Sequence, residues 1–231
     1  MSHSLPVVFF PGTQCDERLW LPVWREMTIA DRRYIPLQWA ETLEQMDGLT
    51  EHAVAGDKVH LVAFSMGGYI ACRFALANPD QVASLTLIGF CSAGLNQQEL
   101  QQRQLIIRAL DKGQFRPMSA QRLAMMVNPH SPNHQFAQQV VREMEQDLGG
   151  SVLKYHLIAA SSRPDLTEDL AQAAFPVHII ASECDEVAAL GAMQTMHQAI
   201  KHSSMQVFSG AGHMLPLEQP KALSLHLQSR I

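Results

Sequence analysis

The sequence predicts an α/β fold: a doubly wound, mainly parallel sheet of about six strands. Short apolar runs rich in β-branched and aromatic residues recur along the 231 residues, as is typical of strands buried on both faces of a parallel sheet. Helical patterns separate most of these runs, and such alternation implies right-handed crossovers. The predicted strands cover residues 5–10, 34–37, 59–64, 82–90, 177–181 and 205–208.

One stretch departs from this alternation. Helices are predicted at 17–27, 41–55, 66–77, 188–200 and 217–228, but 96–163 contains only helical segments, at 100–110, 120–127 and 136–148, with breaks at 113, 129–132 and 149–150. We therefore expect a single domain with an α/β core at 1–94 and 165–231. A helical cap at 95–164 is inserted after the strand that ends near Phe90. That position is the carboxyl edge of the sheet, where open α/β sheets bind ligands.

Methionines recur in the predicted cap. They fit either an adaptable apolar pocket or ordinary core packing. These residues are Met118, Met125, Met126 and Met144.

Composition and charge limit the classes of partner. Hydrophobic residues make up 47% and charged residues 17%, values of a globular protein. The net charge is -5 and the basic residues are scattered, which argues against nucleic acid and anionic membranes and favours a small-molecule substrate. No signal-like N-terminal run and no apolar stretch of membrane-spanning length is found. We expect a cytoplasmic protein, either a monomer or a weak homodimer.

The cysteines and most histidines read as structural residues. The cysteines lack a paired C-x-x-C spacing, so we expect reduced thiols and no zinc site. His60 and His178 fall within predicted strands, and Pro132 interrupts the helix that would align His130 with His134 for metal binding. No metal is predicted. The four cysteines are Cys15, Cys72, Cys91 and Cys184.

Ser65 is the candidate nucleophile. It follows the predicted strand 59–64 directly and precedes an alanine-rich helix, which is the sequence context of a nucleophile elbow. The residues two positions either side must be small because strand and helix backbones crowd there, and Ala63 and Gly67 meet that need. Ala63 stands where glycine is usual. The alternative is a serine that only caps the helix starting at Met66.

His213 is the candidate base. It lies in a loop flanked by glycine, between the last predicted strand and the final helix, where its side chain could reach Ser65. The alternative is a surface-loop histidine. The chain has 11 histidines, and His213 is chosen among them by its position. In folds with a nucleophile elbow, the serine, the acid and the histidine follow one another in that order along the chain.

Asp185 is the candidate acid that orients the imidazole, because it lies just beyond the predicted strand 177–181. Glu183, Glu186 and Asp165 are rivals, and an acidic loop can also be merely solvated. For the oxyanion of the tetrahedral intermediate, the expected donors are the backbone N–H groups of Met66 and Thr13. The alternative for 11–14 is an ordinary strand-to-helix turn.

With these features in order, the chain resembles the α/β-hydrolase superfamily over essentially its whole length. Segments 64–68 (FSMGG) and 210–220 (GAGHMLPLEQP) are similar to those of small bacterial carboxylesterases. Within that branch the chain resembles pimeloyl-[acyl-carrier-protein] methyl ester esterase and its relatives, which carry a helical cap in the same place. Many members have His-Gly where Pro11 and Gly12 stand, and a glycine where Ser182 begins the acid loop.

The residues and the resemblance together predict a serine hydrolase that cleaves a small carboxylic ester, free or carrier-linked, through an acyl-enzyme. An acyltransferase, a thioesterase or a carbon–carbon bond hydrolase would use similar machinery. A ligand-binding homologue that has lost catalysis is the alternative from another class. No cofactor is predicted, because no strand is followed by the dinucleotide-binding pattern G-x-G-x-x-G.

Overall fold

A computed structural model describes residues 4–231. Residues 1–3 lie outside the described residues. They belong to the N-terminal segment from which a cytoplasmic location was expected. In the described part, no helix has both the length and the apolar character that crossing a membrane requires.

One sheet of six strands organises the described chain. The spatial order is β2-β1-β3-β4-β5-β6, and every neighbouring pair is parallel. The predicted doubly wound, mainly parallel sheet is therefore confirmed. The strands are β1 (Val7–Phe10), β2 (Arg32–Tyr34), β3 (Val59–Phe64), β4 (Val82–Ile88), β5 (Val177–Ser182) and β6 (Ser204–Phe208).

Helices follow most of the strands, and side-chain caps fix the starts of several. The Thr42 hydroxyl accepts from the Gln45 N–H where α2 begins, and Asn96 and Glu99 form a reciprocal capping box at α4. The helices are α1 (Leu21–Arg25), α2 (Leu43–Val54), α3 (Met66–Ala77), α4 (Gln97–Asp111), α5 (Ala120–Met126), α6 (His134–Ser161), α7 (Thr167–Ala171), α8 (Leu190–Ala199), α9 (Leu215–Glu218) and α10 (Pro220–Gln228).

Alternate side chains of the central strands serve two separate cores. On β3, Leu61 and Ala63 join the core that includes residues of α2, α3 and α8, whereas Val62 and Phe64 join the core that includes residues of α1, α6 and α10. Successive strand residues point to opposite faces, so a strand buried on both faces must be apolar throughout. This explains why the strands read as continuous apolar runs.

The cap consists of α4, α5 and α6, which lie between β4 and α7. The predicted insertion of a helical cap after the strand ending near Phe90 is confirmed, while its boundaries at 95–164 stay a prediction. Gly149 adopts φ 65° and ψ -169° within α6, so the helix kinks there and then continues to Ser161. A positive φ of this kind suits glycine.

Several predicted elements differ from the structure. The strand predicted at 34–37 lies at Arg32–Tyr34, because the chain turns into a 3₁₀ segment at Leu37–Trp39. The helix predicted at 217–228 is two helices that meet at Gln219, just before Pro220. The break predicted at 149–150 is a kink and not the end of the helix, and α7 was not predicted.

Candidate active site

Ser65 occupies a tight turn between β3 and α3. Its backbone has φ 50° and ψ -121°. This conformation is strained for any residue other than glycine. Gly67 permits the turn, because a Cβ there would lie 2.4 Å from the Pro11 carbonyl oxygen. The close packing predicted around the elbow is thus present, and it forces the serine out of the sheet.

Three side chains form one hydrogen-bonded chain. His213 Nε2 lies 3.1 Å from Ser65 Oγ, and His213 Nδ1 lies 2.8 Å from Asp185 Oδ2. A carboxylate oxygen only accepts, so the Nδ1 proton points to Asp185 and leaves Nε2 to accept from the serine hydroxyl. Asp185 and His213 are 6% and 3% exposed, which shields the chain from water.

The loop after β5 holds Asp185 in place. Its second carboxylate oxygen, Oδ1, accepts from the N–H groups of Val187 and Ala188, both at 2.8 Å. Neighbouring Glu183 and Glu186 are exposed. The structure therefore brings Asp185 to His213.

The fourth candidate acid, Asp165, lies on a different segment. Its carboxylate accepts from the Thr167 N–H at 2.8 Å, where α7 begins. The Thr167 side chain and, after it, the Thr167 N–H lower the pKa of Asp165 by hydrogen bonding to its carboxylate. Asp165 thus serves the start of a helix and not the histidine.

Gly89 supports the imidazole, and sequence reasoning missed it. Its φ is +57°, and a Cβ there would lie 3.3 Å from two atoms of the His213 ring and 3.4 Å from Asp185 Oδ2. Because Gly89, directly after β4, has no side chain, His213 and Asp185 can lie close to the edge of the sheet. The signal in the sequence was one glycine near the end of the predicted strand 82–90, and such a glycine does not reveal a partner more than a hundred positions away.

Glu218 is a second residue that sequence reasoning missed. Its carboxylate is fully buried and accepts from the N–H groups of Gly212 and Asn128, each at 3.0 Å. Burial raises the pKa of Glu218, and these two N–H groups oppose the rise. Because Gly212 precedes His213 and Asn128 follows α5, one carboxylate joins the histidine loop to the cap.

Two backbone N–H groups are available for an oxyanion. Neither the Met66 N–H nor the Thr13 N–H has an acceptor within residues 4–231. The next donor along the chain is occupied, because the Gln14 N–H donates to His156 Nδ1 at 3.0 Å. Met66 is also the first residue of α3, where the helix dipole favours negative charge.

The cap fixes the loop that carries Thr13. The Gln14 side chain donates to the Gly149 carbonyl at 3.0 Å, at the kink of α6. His156 on the same helix lies between the Gln14 N–H and the Leu37 carbonyl, and burial lowers the pKa of His156 to about 4. The imidazole therefore stays neutral, which Nδ1 needs in order to accept.

A cavity of about 890 Å³ lies between the core and the cap, with Ser65 and His213 in its wall. Met118, Met126 and Met144 line it, whereas Met125 does not. Apolar side chains of α4 and α6 form much of the remaining wall. The volume is that of a small-molecule pocket.

The cysteines form no disulfide among the described residues. Cys15 lines the cavity, and burial raises the pKa of its thiol to about 12, so it stays protonated. His60 and His178 pair with the hydroxyls of Ser84 and Ser204. Residues 4–231 contain no group of three or more His, Cys, Asp and Glu side chains placed to hold a metal ion.

Residues 7–224 match the alpha/beta hydrolase family. Among curated proteins, the chain is similar to 2-hydroxy-6-oxononadienedioate/2-hydroxy-6-oxononatrienedioate hydrolase 2 of Pseudomonas putida, with 28% identity over 68% of this chain and 57% of the relative. It is also similar to monoacylglycerol lipase ABHD6 of Bos taurus, with 25% identity over 70% of this chain and 51% of the relative. The matched region thus spans little more than half the length of these relatives.

A solved structure shows the same fold. A thermophilic esterase from Thermogutta terrifontis superposes with a TM-score of 0.86, covering 98% of this chain and 89% of that chain. The two sequences are 22% identical.

Proposed function

Because this chain belongs to the alpha/beta hydrolase family, we propose that it is a serine hydrolase that cleaves a small carboxylic ester through an acyl-enzyme. Ser65 is the nucleophile, His213 the general base and acid, and Asp185 the residue that orients the imidazole. The chain shares its fold with an esterase, and one of its curated relatives is a lipase. Both similarities favour an ester over other acyl substrates.

The observation that carries the proposal is the hydrogen-bonded chain from Asp185 through His213 to Ser65 at the wall of a cavity. A serine that only capped α3 would accept from a backbone N–H of the first turn, and the Ser65 side chain makes no such bond. A histidine that only packed in a loop would not need both ring nitrogens bonded to these two partners.

Acylation begins when Ser65 Oγ attacks the ester carbonyl carbon while its proton passes to His213 Nε2. The carbonyl oxygen becomes an oxyanion and accepts from the N–H groups of Met66 and Thr13. The bond to the alcohol oxygen then breaks, and that oxygen takes the proton from Nε2. The acyl group is left on Ser65 and the alcohol departs.

Deacylation repeats these steps with water as the nucleophile. Nε2 accepts a proton from water, and the resulting hydroxide oxygen bonds to the acyl carbon. The second oxyanion uses the same two N–H groups. When it collapses, the bond between the acyl carbon and Ser65 Oγ breaks, and Oγ takes the proton from Nε2. The carboxylic acid leaves and the enzyme is restored.

Steady-state turnover of p-nitrophenyl esters of increasing chain length tests the proposal. We expect Ser65→Ala to lower kcat by about 10⁴-fold or more, because the nucleophile is lost. Ser151→Ala, at an exposed serine of α6, is the matched control and should keep wild-type turnover. Ester turnover unaffected by Ser65→Ala would refute the mechanism.

Carbon–carbon bond hydrolysis is the second candidate, and the Pseudomonas putida relative is the observation that favours it. The same three residues would serve, with a ketone carbonyl as the group attacked. Parallel assays with 2-hydroxy-6-oxo dienoates and with esters separate the two, since the favoured substrate class should show the higher kcat/KM.

The remaining expectations stay proposals. If a fluorophosphonate, which reacts with activated serines, labels Ser65 but no ester is turned over, an acyltransferase, a thioesterase or another specialised substrate is favoured. A protein that binds ligands without reacting would instead leave Ser65 unlabelled. The narrower resemblance to pimeloyl-[acyl-carrier-protein] methyl ester esterase, the cytoplasmic location and a monomer or weak homodimer stay predictions.

A further inference from the structure

An arginine of the cap has a buried donor that the protein does not satisfy. Arg103 lies on α4 and lines the same cavity as Ser65 and His213. Its Nη1 is buried and has no hydrogen-bond partner within residues 4–231. No carboxylate forms an ion pair with it in that part of the chain. A buried cationic donor without an acceptor is costly, so it calls for an explanation.

The charges around Arg103 leave its guanidinium in need of an anion. Burial, together with the positive charges of Arg163 and Arg122, lowers the pKa of Arg103 to about 10, although Glu99 opposes the change. The side chain therefore stays charged at neutral pH. The Glu99 carboxylate accepts from the Asn96 N–H at 2.9 Å, so it is already engaged at the start of α4.

The face of α4 that carries Arg103 suits a short chain with a charged end. Arg103, Ile106 and Leu110 follow the spacing of one helix face, and all three line the cavity. Ile106 and Leu110 can cover methylene groups, while the guanidinium can bind a planar anion through two N–H groups.

The charges of the cavity wall as a whole disfavour an anion with several negative charges. It carries three arginines and three glutamates, so its formal charges cancel. Among the glutamates, Glu145 accepts from the Met118 N–H at 2.6 Å and Glu186 is exposed. A polyanion would meet these carboxylates, whereas a lone carboxylate can pair with the free guanidinium.

We propose that Arg103 binds a carboxylate carried by the substrate, so that the preferred esters are half-esters of dicarboxylic acids and not their neutral analogues. This inference rests on the proposed function, because it concerns the ester that Ser65 attacks. It assigns Arg103, on the part of the cavity wall formed by α4, to substrate recognition.

A matched pair of esters tests the inference. Ethyl hydrogen adipate and ethyl hexanoate have the same acyl chain length and differ at the far end, where one has a carboxylate and the other a methyl group. We expect wild-type kcat/KM to be about 10- to 100-fold higher for the half-ester, as one charge-assisted bidentate contact supplies. The difference should lie mainly in KM.

Variants of two arginines on one helix assign the effect. Arg103→Gln should abolish the preference for the half-ester, which is measured as the ratio of the kcat/KM values of the two esters within that variant. Arg103→Lys should retain part of the preference because the charge remains. Arg108→Gln is the control, since Arg108 is exposed on α4 and does not line the cavity. It should keep the wild-type preference.

The outcomes separate this inference from the proposed function. Hydrolysis of both esters with equal kcat/KM, or a preference that survives Arg103→Gln, would overturn the role of Arg103 and leave the esterase proposal intact. Absence of any ester hydrolysis together with an unreactive Ser65 would overturn the proposed function and this inference with it.

Discussion

The conformation of Ser65 costs energy that the surrounding packing must supply. A non-glycine residue at φ 50° and ψ -121° is strained by about 1–3 kcal/mol. The turn persists because β3 and α3 are both buried and because Gly67 lets α3 approach Pro11. The hydroxyl is thereby held toward His213 before any substrate binds, and such preorganisation is what nucleophilic catalysis needs.

Asp185→Asn tests the residue assigned as the acid. The asparagine oxygen can still accept from Val187 and Ala188, so its amide would face His213 Nδ1 and favour the wrong imidazole tautomer. We expect kcat to fall by about 10³- to 10⁴-fold with little change in folding. Ester turnover reports the loss, and Asp165→Asn is the control that should stay active. Equal effects of the two changes would remove Asp185 from its role.

Gly89→Ala tests the support of the imidazole. The new Cβ would contact the His213 ring at 3.3 Å, so we expect kcat to fall as the ring is displaced. Gly113→Ala is the matched control, because Gly113 also has a positive φ of +70° but a Cβ added there would have no neighbour within 4 Å. Both should lose about 1 kcal/mol of stability in urea unfolding. Wild-type kcat in Gly89→Ala would contradict the assignment.

Some residues of the candidate site could be found from the sequence, and others became apparent only in the structure. Ser65 and His213 could be found because small neighbours and strand ends mark them locally. Gly89 and Glu218 could not, because each acts through a contact with a segment distant in sequence or through complete burial. Local patterns carry no information on such partners.

Helix α6 is the part of the cap that contacts the loop carrying Thr13. Its kink at Gly149 directs a carbonyl to the Gln14 side chain, and His156 accepts from the Gln14 N–H. Gln14 has a positive φ of 53°, so these bonds hold a strained residue beside Thr13. We infer that the position of the Thr13 N–H depends on this helix.

The buried imidazole of His156 predicts a loss of stability in acid. The folded chain resists protonation until about pH 4, whereas the unfolded chain binds the proton near pH 6.5. Protonation of His156 therefore does not reduce the free energy of unfolding above pH 6.5. The free energy of unfolding falls as the pH drops toward 4, by about 2 kcal/mol between pH 7 and pH 5. Urea unfolding at the two pH values measures it.

A variant isolates this contribution, because His60, His178 and His226 also have lowered pKa values and add to the loss with the same sign. His156→Gln should reduce the loss between pH 7 and pH 5 by about 2 kcal/mol. His52→Gln, at an exposed position of α2, should leave it unchanged. An unchanged loss in His156→Gln would refute this explanation.

The elements themselves were predictable where the pattern was local and strong. The strand at Val59–Phe64 and the helix at Met66–Ala77 match their predicted bounds, since a fully apolar run and an alanine-rich segment each favour one structure. The short strand at Arg32–Tyr34 was misplaced because its residues are only partly buried and carry no apolar run. Pairing with β1 defines it instead.

In the whole molecule, cap and core are joined by a buried carboxylate. Glu218 accepts from Asn128 in the loop between α5 and α6 and from Gly212 beside His213. The Met214 N–H donates to the Met126 carbonyl. The cap therefore has fixed contacts with the loop that carries His213. The sequence predicted the cap but not this connection.

Glu218→Ala should destabilise the molecule and impair catalysis together. It leaves two buried N–H groups without acceptors, which costs about 2–4 kcal/mol in urea unfolding. Ester kcat should fall as well, because Gly212 positions His213. Glu218→Gln keeps one acceptor oxygen and should show a smaller loss. The control Glu51→Ala, at an exposed site of α2, should change stability by less than about 0.5 kcal/mol. Full activity of a destabilised Glu218→Ala would limit its role to folding.

Covalent labelling is the most direct test of whether Ser65 is the nucleophile of a hydrolase. A fluorophosphonate reacts with an activated serine, and mass spectrometry of the intact protein and its peptides locates the adduct. We expect one adduct per chain, on Ser65, and none in Ser65→Ala. An adduct on another residue, undiminished labelling of Ser65→Ala, or an unlabelled wild-type protein that still hydrolyses esters would contradict it.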